Sequence, residues 1–201
     1  MLDYSYEYDY DDIYCYNNSA VLKNKLNITD RDVFFKAERE ITSLRSAQLL
    51  VEPIPGTFNE QHFKSVHKFL FDDIYDWAGN YRRVNISKGS NFCQVAFIEQ
   101  EMGRIFSELK AERALKGVKQ IETLAKRLAY YMGELNAVHP FREGNGRTQR
   151  LFASILAQRN GYSLQFDRSD HEQMLNASIE SFAGNYVPME ELMLACLAPT
   201  S

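Results

Sequence analysis

Cysteine is scarce in this chain and scattered where it occurs. Cys15, Cys93 and Cys196 are the only three in 201 residues. They are an odd number with no Cys-x-x-Cys spacing, which argues against a disulfide framework and a cysteine-built zinc site alike. This usage predicts a cytoplasmic protein with reduced thiols. Histidine is nearly as rare, with four in all. His62 and His67 are five apart, off the i, i+4 spacing that sets two ligands on one helix face, and His171 is isolated, so no histidine zinc site is expected. No apolar run approaches the roughly 20 residues that cross a bilayer, and the N-terminus lacks a basic start followed by an apolar stretch. An excess of positive charge is missing too. Against 23 Lys and Arg stand 27 Asp and Glu, a net charge of −4, so no global basic field points to nucleic acid. There is no internal repeat, and no linker-like stretch splits the body into two domains.

The first sixteen residues stand apart. Tyr4, Tyr6, Tyr8 and Tyr10 alternate with Ser5, Glu7 and Asp9, and Asp11 and Asp12 follow. The alternation has strand period, but its second face is acidic and without an evident partner, so residues 1–16 read as an acidic, Tyr-rich tail. Residues 17–201 read as one mainly α domain. Thr29 or Asp30 caps a helix from about Asp32 to Leu50, stopped by Pro53 and Pro55. A second helix runs from Asn59 to about Tyr75 with Phe63, Val66, Leu70 and Ile74 on one stripe. Val84, Ile86 and Phe92 flank Ser87-Lys88-Gly89-Ser90-Asn91, which has hairpin composition. Further helices are expected at about Ile98–Leu115, from Ile121 to near Asn136, after the next glycine loop to Asn160-Gly161, and around Ser169–Phe182 and Pro188–Leu197. The Ile121, Leu124, Ala125, Leu128, Met132, Leu135 pattern is the cleanest amphipathic run.

The densest chemistry lies in His139-Pro140-Phe141-Arg142-Glu143-Gly144-Asn145-Gly146-Arg147-Thr148-Gln149-Arg150. Gly144 and Gly146 let the backbone take positive φ and bare its N–H groups. The apolar run after them opens a helix, whose N-terminus attracts anions. Arg147 and Arg150 are three apart on that helix and share a face, and the arginine fork suits phosphate oxygens. Glu143 puts a carboxylate beside those phosphates, which calls for a cation between them. Mg²⁺ commonly takes one or two carboxylates plus substrate phosphates. His139, ordinarily titrating near neutrality, suits general-base work. Each part alone has a plain structural reading; their convergence on one helix end favours a site.

This stretch resembles the Fic signature, His-x-Phe-x-(Asp/Glu)-Gly-Asn-Gly-Arg-x-x-Arg, at every specified position. The resemblance to bacterial Fic proteins extends over roughly residues 15 to 195. It takes in Tyr16–Ile28, the Asp76-Trp77-Ala78-Gly79 corner and Ile86-Ser87-Lys88-Gly89. It implies a Fic-type helical bundle with a short β-hairpin flap, and a protein adenylyltransferase moving AMP from ATP to a Tyr, Thr or Ser hydroxyl of a target protein with release of pyrophosphate. Carried over residue by residue, His139 is the base and Glu143 holds Mg²⁺ on the α- and β-phosphates. Gly144, Asn145 and Gly146 form the anion cradle, and Arg147 and Arg150 neutralise the β/γ end. Phe141 anchors the loop in the core, and Lys88 and Gly89 belong to the flap that pins the target.

The family's inhibitory helix, Ser/Thr-x-x-x-Glu-Gly/Asn, has no counterpart here, since no glutamate has Ser or Thr four residues before it. The resemblance therefore suggests a small antitoxin that supplies that helix in trans. Two other readings stay open: transfer of phosphate, UMP or phosphocholine instead of AMP, and a catalytically silent binding module with the same fold. Gly144 and Gly146 favour the AMP orientation.

Overall fold

Capping and periodicity place most elements of the computed structural model, which describes residues 11–88 and 90–200. Helix α1 (Arg31–Val51) starts at Asp30, whose carboxylate accepts from the Val33 amide at 2.9 Å. Helix α2 (Glu60–Phe71) starts at Asn59, capped through the His62 amide. Its stripe of Phe63, Val66 and Leu70 is wholly buried, as is Ile74 beyond its end. The helix is shorter than the sequence suggested. The Ile74 and Tyr75 amides both turn back to the Phe71 carbonyl, so these residues form a closing turn instead of a further helical one.

A two-stranded hairpin follows, β1 (Ser87–Lys88) paired antiparallel with β2 (Ser90–Asn91), with Lys88 opposite Ser90. Helix α3 (Ile98–Ala111) ends before the expected Leu115. Arg113, Ala114 and Leu115 instead form one left-handed turn, with φ of 53°, 50° and 59°. Such a turn is unfavourable for L-residues; here it carries Ala114 and Leu115 into the core. Helix α4 (Ile121–Val138) and helix α5 (Asn145–Gln158) form the centre of the bundle. Helices α3, α6 (His171–Phe182) and α7 (Val187–Cys196) pack on α4, while α1 and α2 pack on α5. Because it is covered from several sides, α5 buries even its polar residues Thr148, Gln149 and Ser154.

Two further findings depart from the sequence reading. A second antiparallel pair joins β3 (Tyr162–Leu164) to β4 (Leu197–Pro199), with Ser163 opposite Ala198. Three-residue strands are too short to show a period-two pattern, so nothing in the sequence announced them. The tail boundary at residue 16 also fails for the residues described. Tyr14 and Cys15 are buried, and Cys15 bridges to Leu22. The Asp11 carboxylate meets the fully buried Arg142 at 3.0 Å. An acidic residue needs no solvent when a buried cation faces it, and a one-dimensional pattern cannot reveal that partner. The Tyr4–Tyr10 alternation lies outside the described residues. Among those described, no helix is long and apolar enough to cross a membrane.

Candidate active site

Pro140 has no N–H to donate and ends α4 at His139. The histidine adopts a left-handed conformation, φ 49°, ψ 60°, while its amide still bonds to the Leu135 carbonyl at 3.0 Å. The loop from Phe141 to Asn145 is closed by one side chain. Asn145 Oδ1 accepts from the Phe141 amide at 2.9 Å, and its Nδ2 donates to the Phe141 carbonyl at 2.8 Å. Asn145 therefore joins the site by shaping it, since both polar atoms of its side chain are engaged within the loop. Phe141 is fully buried, stacked on His67 at 3.8 Å and on Phe63 at 5.5 Å.

Gly144 caps α5 at φ 80°, and a Cβ there would lie 2.2 Å from the buried Phe71 ring. Backbone conformation and space both demand glycine. No side chain caps the helix, and its first turn leaves the Asn145, Gly146 and Arg147 amides without intrahelical acceptors. The Glu143 carboxylate occupies part of this amide cluster. Its Oε1 accepts from the Gly144 amide at 2.8 Å and lies 3.3 Å from Arg147 Nη2.

The two arginines have different surroundings. Arg147 donates to Glu38 Oε1 at 2.9 Å and to Thr42 Oγ1 at 3.1 Å, and its guanidinium lies 4.8 Å from the Phe71 ring centroid. Burial pulls its pKa down, but Glu38 and Glu143 together more than restore it. Glu38 is itself buried and also accepts from the Tyr75 hydroxyl at 3.0 Å; burial raises its carboxyl pKa and Arg147 opposes that. Arg150 is desolvated too, yet no carboxylate pairs with it among the described residues. Its pKa is lowered by burial and by Arg147. Its Nη1 is 3.2 Å from where a Gly146 Cβ would stand, so the missing side chain keeps the guanidinium close to the glycine backbone. A cavity of about 390 Å³ opens beside both arginines, lined also by Ser46 and Leu50 of α1 and by Gln165 and Asp167.

The His139 ring is mostly buried. It stacks on Phe92 at 3.9 Å, and its Nδ1 faces the Asn136 carbonyl at 3.3 Å. A proton on Nδ1 assigned from that contact leaves the basic lone pair on Nε2. The hairpin is thus adjacent, since Phe92 directly follows β2. Lys88 lies on β1, and Gly89 lies outside the described residues. The structure therefore brings together His139, Glu143, Gly144, Asn145, Gly146, Arg147 and Arg150 around one helix mouth, with the hairpin stem against the histidine.

Several supports were not visible in the sequence. His67 is fully buried; its Nδ1 accepts from the Gly79 amide at 2.9 Å and its Nε2 donates to the Glu143 carbonyl at 3.0 Å. Burial holds it neutral, its pKa lowered to about 3. It is a strut between α2, the Trp77-Ala78-Gly79 corner and the loop. Glu38 and Thr42, four apart on α1, carry the helical spacing of neighbours, but nothing in the chain marks them as partners of Arg147.

A family model described as "Fic/DOC family" matches residues 57–157. The chain is 36% identical over 180 residues to "Probable protein adenylyltransferase y4lH" of Sinorhizobium fredii, a match covering 89% of this chain and 92% of that one. It is 42% identical over 183 residues to "Protein adenylyltransferase VbhT" of Bartonella schoenbuchensis, covering 90% of this chain and 38% of that longer protein. Among solved structures, the N-terminal Fic domain of a VirB-translocated Bep effector from Bartonella quintana, with bound ADP, superposes with a TM-score of 0.87. It is 31% identical, and the match covers 94% of this chain and 95% of that one.

Proposed function

The chain belongs to the Fic/DOC family, and on that premise we propose that it is a protein adenylyltransferase in which the helix mouth at Gly144–Arg150 receives the phosphates of ATP. The observation that carries this reading is the setting of Arg150: a half-buried cation with no carboxylate partner among the described residues, lining the cavity with its Nη1 beside Gly146, at a helix start whose first amides lack intrahelical acceptors. A partly desolvated cation without a counter-charge is open to an anionic ligand, and polyphosphate has the charge and the acceptors to fill that role.

His139 takes the proton of the target hydroxyl through Nε2 while Nδ1 is oriented by the Asn136 carbonyl. The hydroxyl oxygen then attacks the α-phosphorus, and pyrophosphate leaves. The amides of the first turn of α5 and Arg150 bind the developing charge, and that electrostatic stabilisation supplies most of the rate. Glu143 suits a magnesium ion brought by the nucleotide. Its Oε1 is engaged with Gly144 and Arg147, while no hydrogen bond among the described residues reaches Oε2. No group of three ligating side chains occurs among the described residues, which fits an ion held by one carboxylate together with phosphates. When bound, it would neutralise phosphate charge.

The target protein adds an extended segment to the hairpin edge, a mode that reads backbone more than sequence. An inhibitor in trans, an antitoxin offering a glutamate to Arg150, is the partner this chain calls for, because its own sequence lacks the inhibitory motif. Its three cysteines are unpaired, which supports a reducing cytoplasm as the place of action.

Incubating bacterial lysate with the chain, Mg²⁺ and ATP labelled at the α- or the γ-phosphate tests the reading. A protein band labelled from the α-position alone, and lost with His139→Ala, is expected. Labelling from the γ-position, or labelling that survives without His139, overturns it.

A further inference from the structure

The hairpin and the catalytic base are tied together by a residue that no motif includes. Arg82 lies between the Trp77-Ala78-Gly79 corner and β1, and only 2% of its surface is exposed. Its Nε donates to the His139 carbonyl at 2.8 Å, and its Nη2 to the Val138 carbonyl at 3.2 Å and to the Cys93 carbonyl. Its Nη1 donates to the Val84 carbonyl at 2.8 Å, and its backbone amide to the Pro140 carbonyl at 2.8 Å. Val138, His139 and Pro140 are the end of α4 and the start of the catalytic loop. Val84 and Cys93 are the two legs of the hairpin. One planar guanidinium thus holds both legs and the backbone of the base.

The chemistry suits arginine alone. Several donors fixed in a plane can serve carbonyls from two directions at once, whereas an ammonium on a flexible stem cannot hold the same fan. A cation is also well placed at the C-terminus of α4, where carbonyls are exposed and the helix dipole is negative. His139 needs such a hold. A non-glycine residue in the left-handed region persists where its surroundings over-determine it, and Arg82 binds the carbonyls of both peptides that flank His139 as well as that of Pro140.

A second contact runs through side chains. Phe92, the first residue after β2, stacks on the His139 imidazole at 3.9 Å with 19° between the planes, and meets Phe182 edge-on at 6.0 Å. The Cys93 amide bonds to the Ala137 carbonyl at 3.2 Å, continuing the attachment of the outgoing leg to α4. A displacement of the hairpin therefore reaches the imidazole by two routes, one through backbone and one through the stacked ring.

We propose that Arg82 and Phe92 are positioning residues that make the hairpin and His139 one mechanical unit, so that seating of a target strand and aim of the base are set together. This rests on the adenylyl-transfer reading. The nucleotide phosphates lie on the other flank of the loop, at Gly144–Arg150, so the two residues govern target transfer and leave nucleotide binding to α5.

Kinetics of the full-length chain, with any substrate protein labelled by the wild type, separate this role from a plain structural one. Arg82→Gln, Arg82→Lys, Phe92→Ala and Phe92→Leu are compared for kcat, for KM of ATP and for Mg·ADP affinity by calorimetry. Expected are a fall in kcat of about 10–100-fold for Arg82→Gln and Phe92→Ala, Mg·ADP affinity within about twofold of wild type, and partial rescue by Phe92→Leu but not by Arg82→Lys. The ¹⁵N spectrum of the His139 ring should show the Nδ1–H tautomer in the wild type and a mixture in Arg82→Gln. If Arg82→Gln does not fold, the Phe92 pair decides alone. Unchanged kcat in Phe92→Ala, or ADP affinity lost in step with kcat, overturns the proposal. A wild-type chain that labels nothing defeats instead the reading on which the proposal rests.

Discussion

The two flanks of α5 differ in a way that sequence spacing hides. Arg147 and Arg150 are one turn apart on the same helix, both half-buried. The flank toward α1 is already closed electrostatically, with Arg147 bonded to Glu38 and Thr42, close to Glu143, and Glu38 bonded in turn to Tyr75. Arg150, further along α5 and lining the same cavity, has no carboxylate partner among the described residues. The closed flank is complete without a ligand and serves to hold the loop. The open flank has no such counter-charge among the described residues, and under the proposed function the substrate phosphates supply it. Two arginines that look equivalent in a motif thus have different surroundings, and the proposed function assigns Arg150 the larger share of phosphate binding.

Mutations can break that contrast. His139→Ala, which removes the base that both flanks serve, should lower transfer by about 10²–10⁴-fold with the thermal midpoint almost unchanged, measured by α-label incorporation beside calorimetry. Arg150→Ala should cost about 10²-fold in kcat/KM and leave stability unchanged or slightly higher, because an unpaired desolvated cation is removed. Arg147→Ala should behave in the opposite way. It strands the buried Glu38 carboxylate, a loss of about 3 kcal/mol or more, read as a thermal midpoint lowered by about 10 °C. Equal behaviour of the two arginine variants would erase the distinction between the flanks. Gly144→Ala should lose folding stability by about 3 kcal/mol, from positive φ and from collision with Phe71, and refolding yield and urea midpoint report it.

The smallest effect concerns the strut behind the closed flank. His67 is neutral in the fold with its pKa lowered to about 3, whereas an unfolded histidine titrates near 6.5. Between those values the unfolded chain binds the extra proton. The contribution of His67 is therefore intact above about pH 6.5 and declines as the pH falls toward 3, with a slope of at most about 1.4 kcal/mol per pH unit. His67→Gln keeps one donor and one acceptor, so it should be less stable at pH 7 but lose stability more gently on acidification. Urea midpoints at pH 7, 5.5 and 4.5 for both proteins give the comparison, and parallel pH profiles would remove His67 as a neutral strut.

Much of the fold was legible because helices carry their own punctuation. Asp30, one of the two expected caps, starts α1, α2 starts directly after Asn59, and Phe63, Val66, Leu70 and Ile74 line the core. Helix ends were less legible, as the left-handed turn at Arg113–Leu115 shows, because tertiary burial of Ala114 and Leu115 overrides local preference. The β3–β4 pair escaped because short strands have no periodicity. At the site, the residues proposed to meet the nucleotide sit within one twelve-residue stretch, which the structure gathers at one helix mouth. The residues that hold them do not. Glu38, His67, Arg82 and Asp11 lie 57 to 131 positions from the loop residues they bind, and such long-range partners leave no local spacing to read. Asn145 illustrates the boundary: its place in the signature assigned it to the anion cradle, but nothing in the spacing showed that its side chain closes the loop on Phe141.

Titration of Mg·ATP into the wild type, Arg150→Ala and Thr42→Val by calorimetry tests the open-flank assignment most directly. Arg150→Ala should weaken binding by at least about tenfold, the worth of one charge-assisted phosphate contact, while Thr42→Val, which alters only the closed flank, stays within about twofold. Equal affinity in wild type and Arg150→Ala would contradict it, for then the unpaired guanidinium is not where the nucleotide's charge comes to rest.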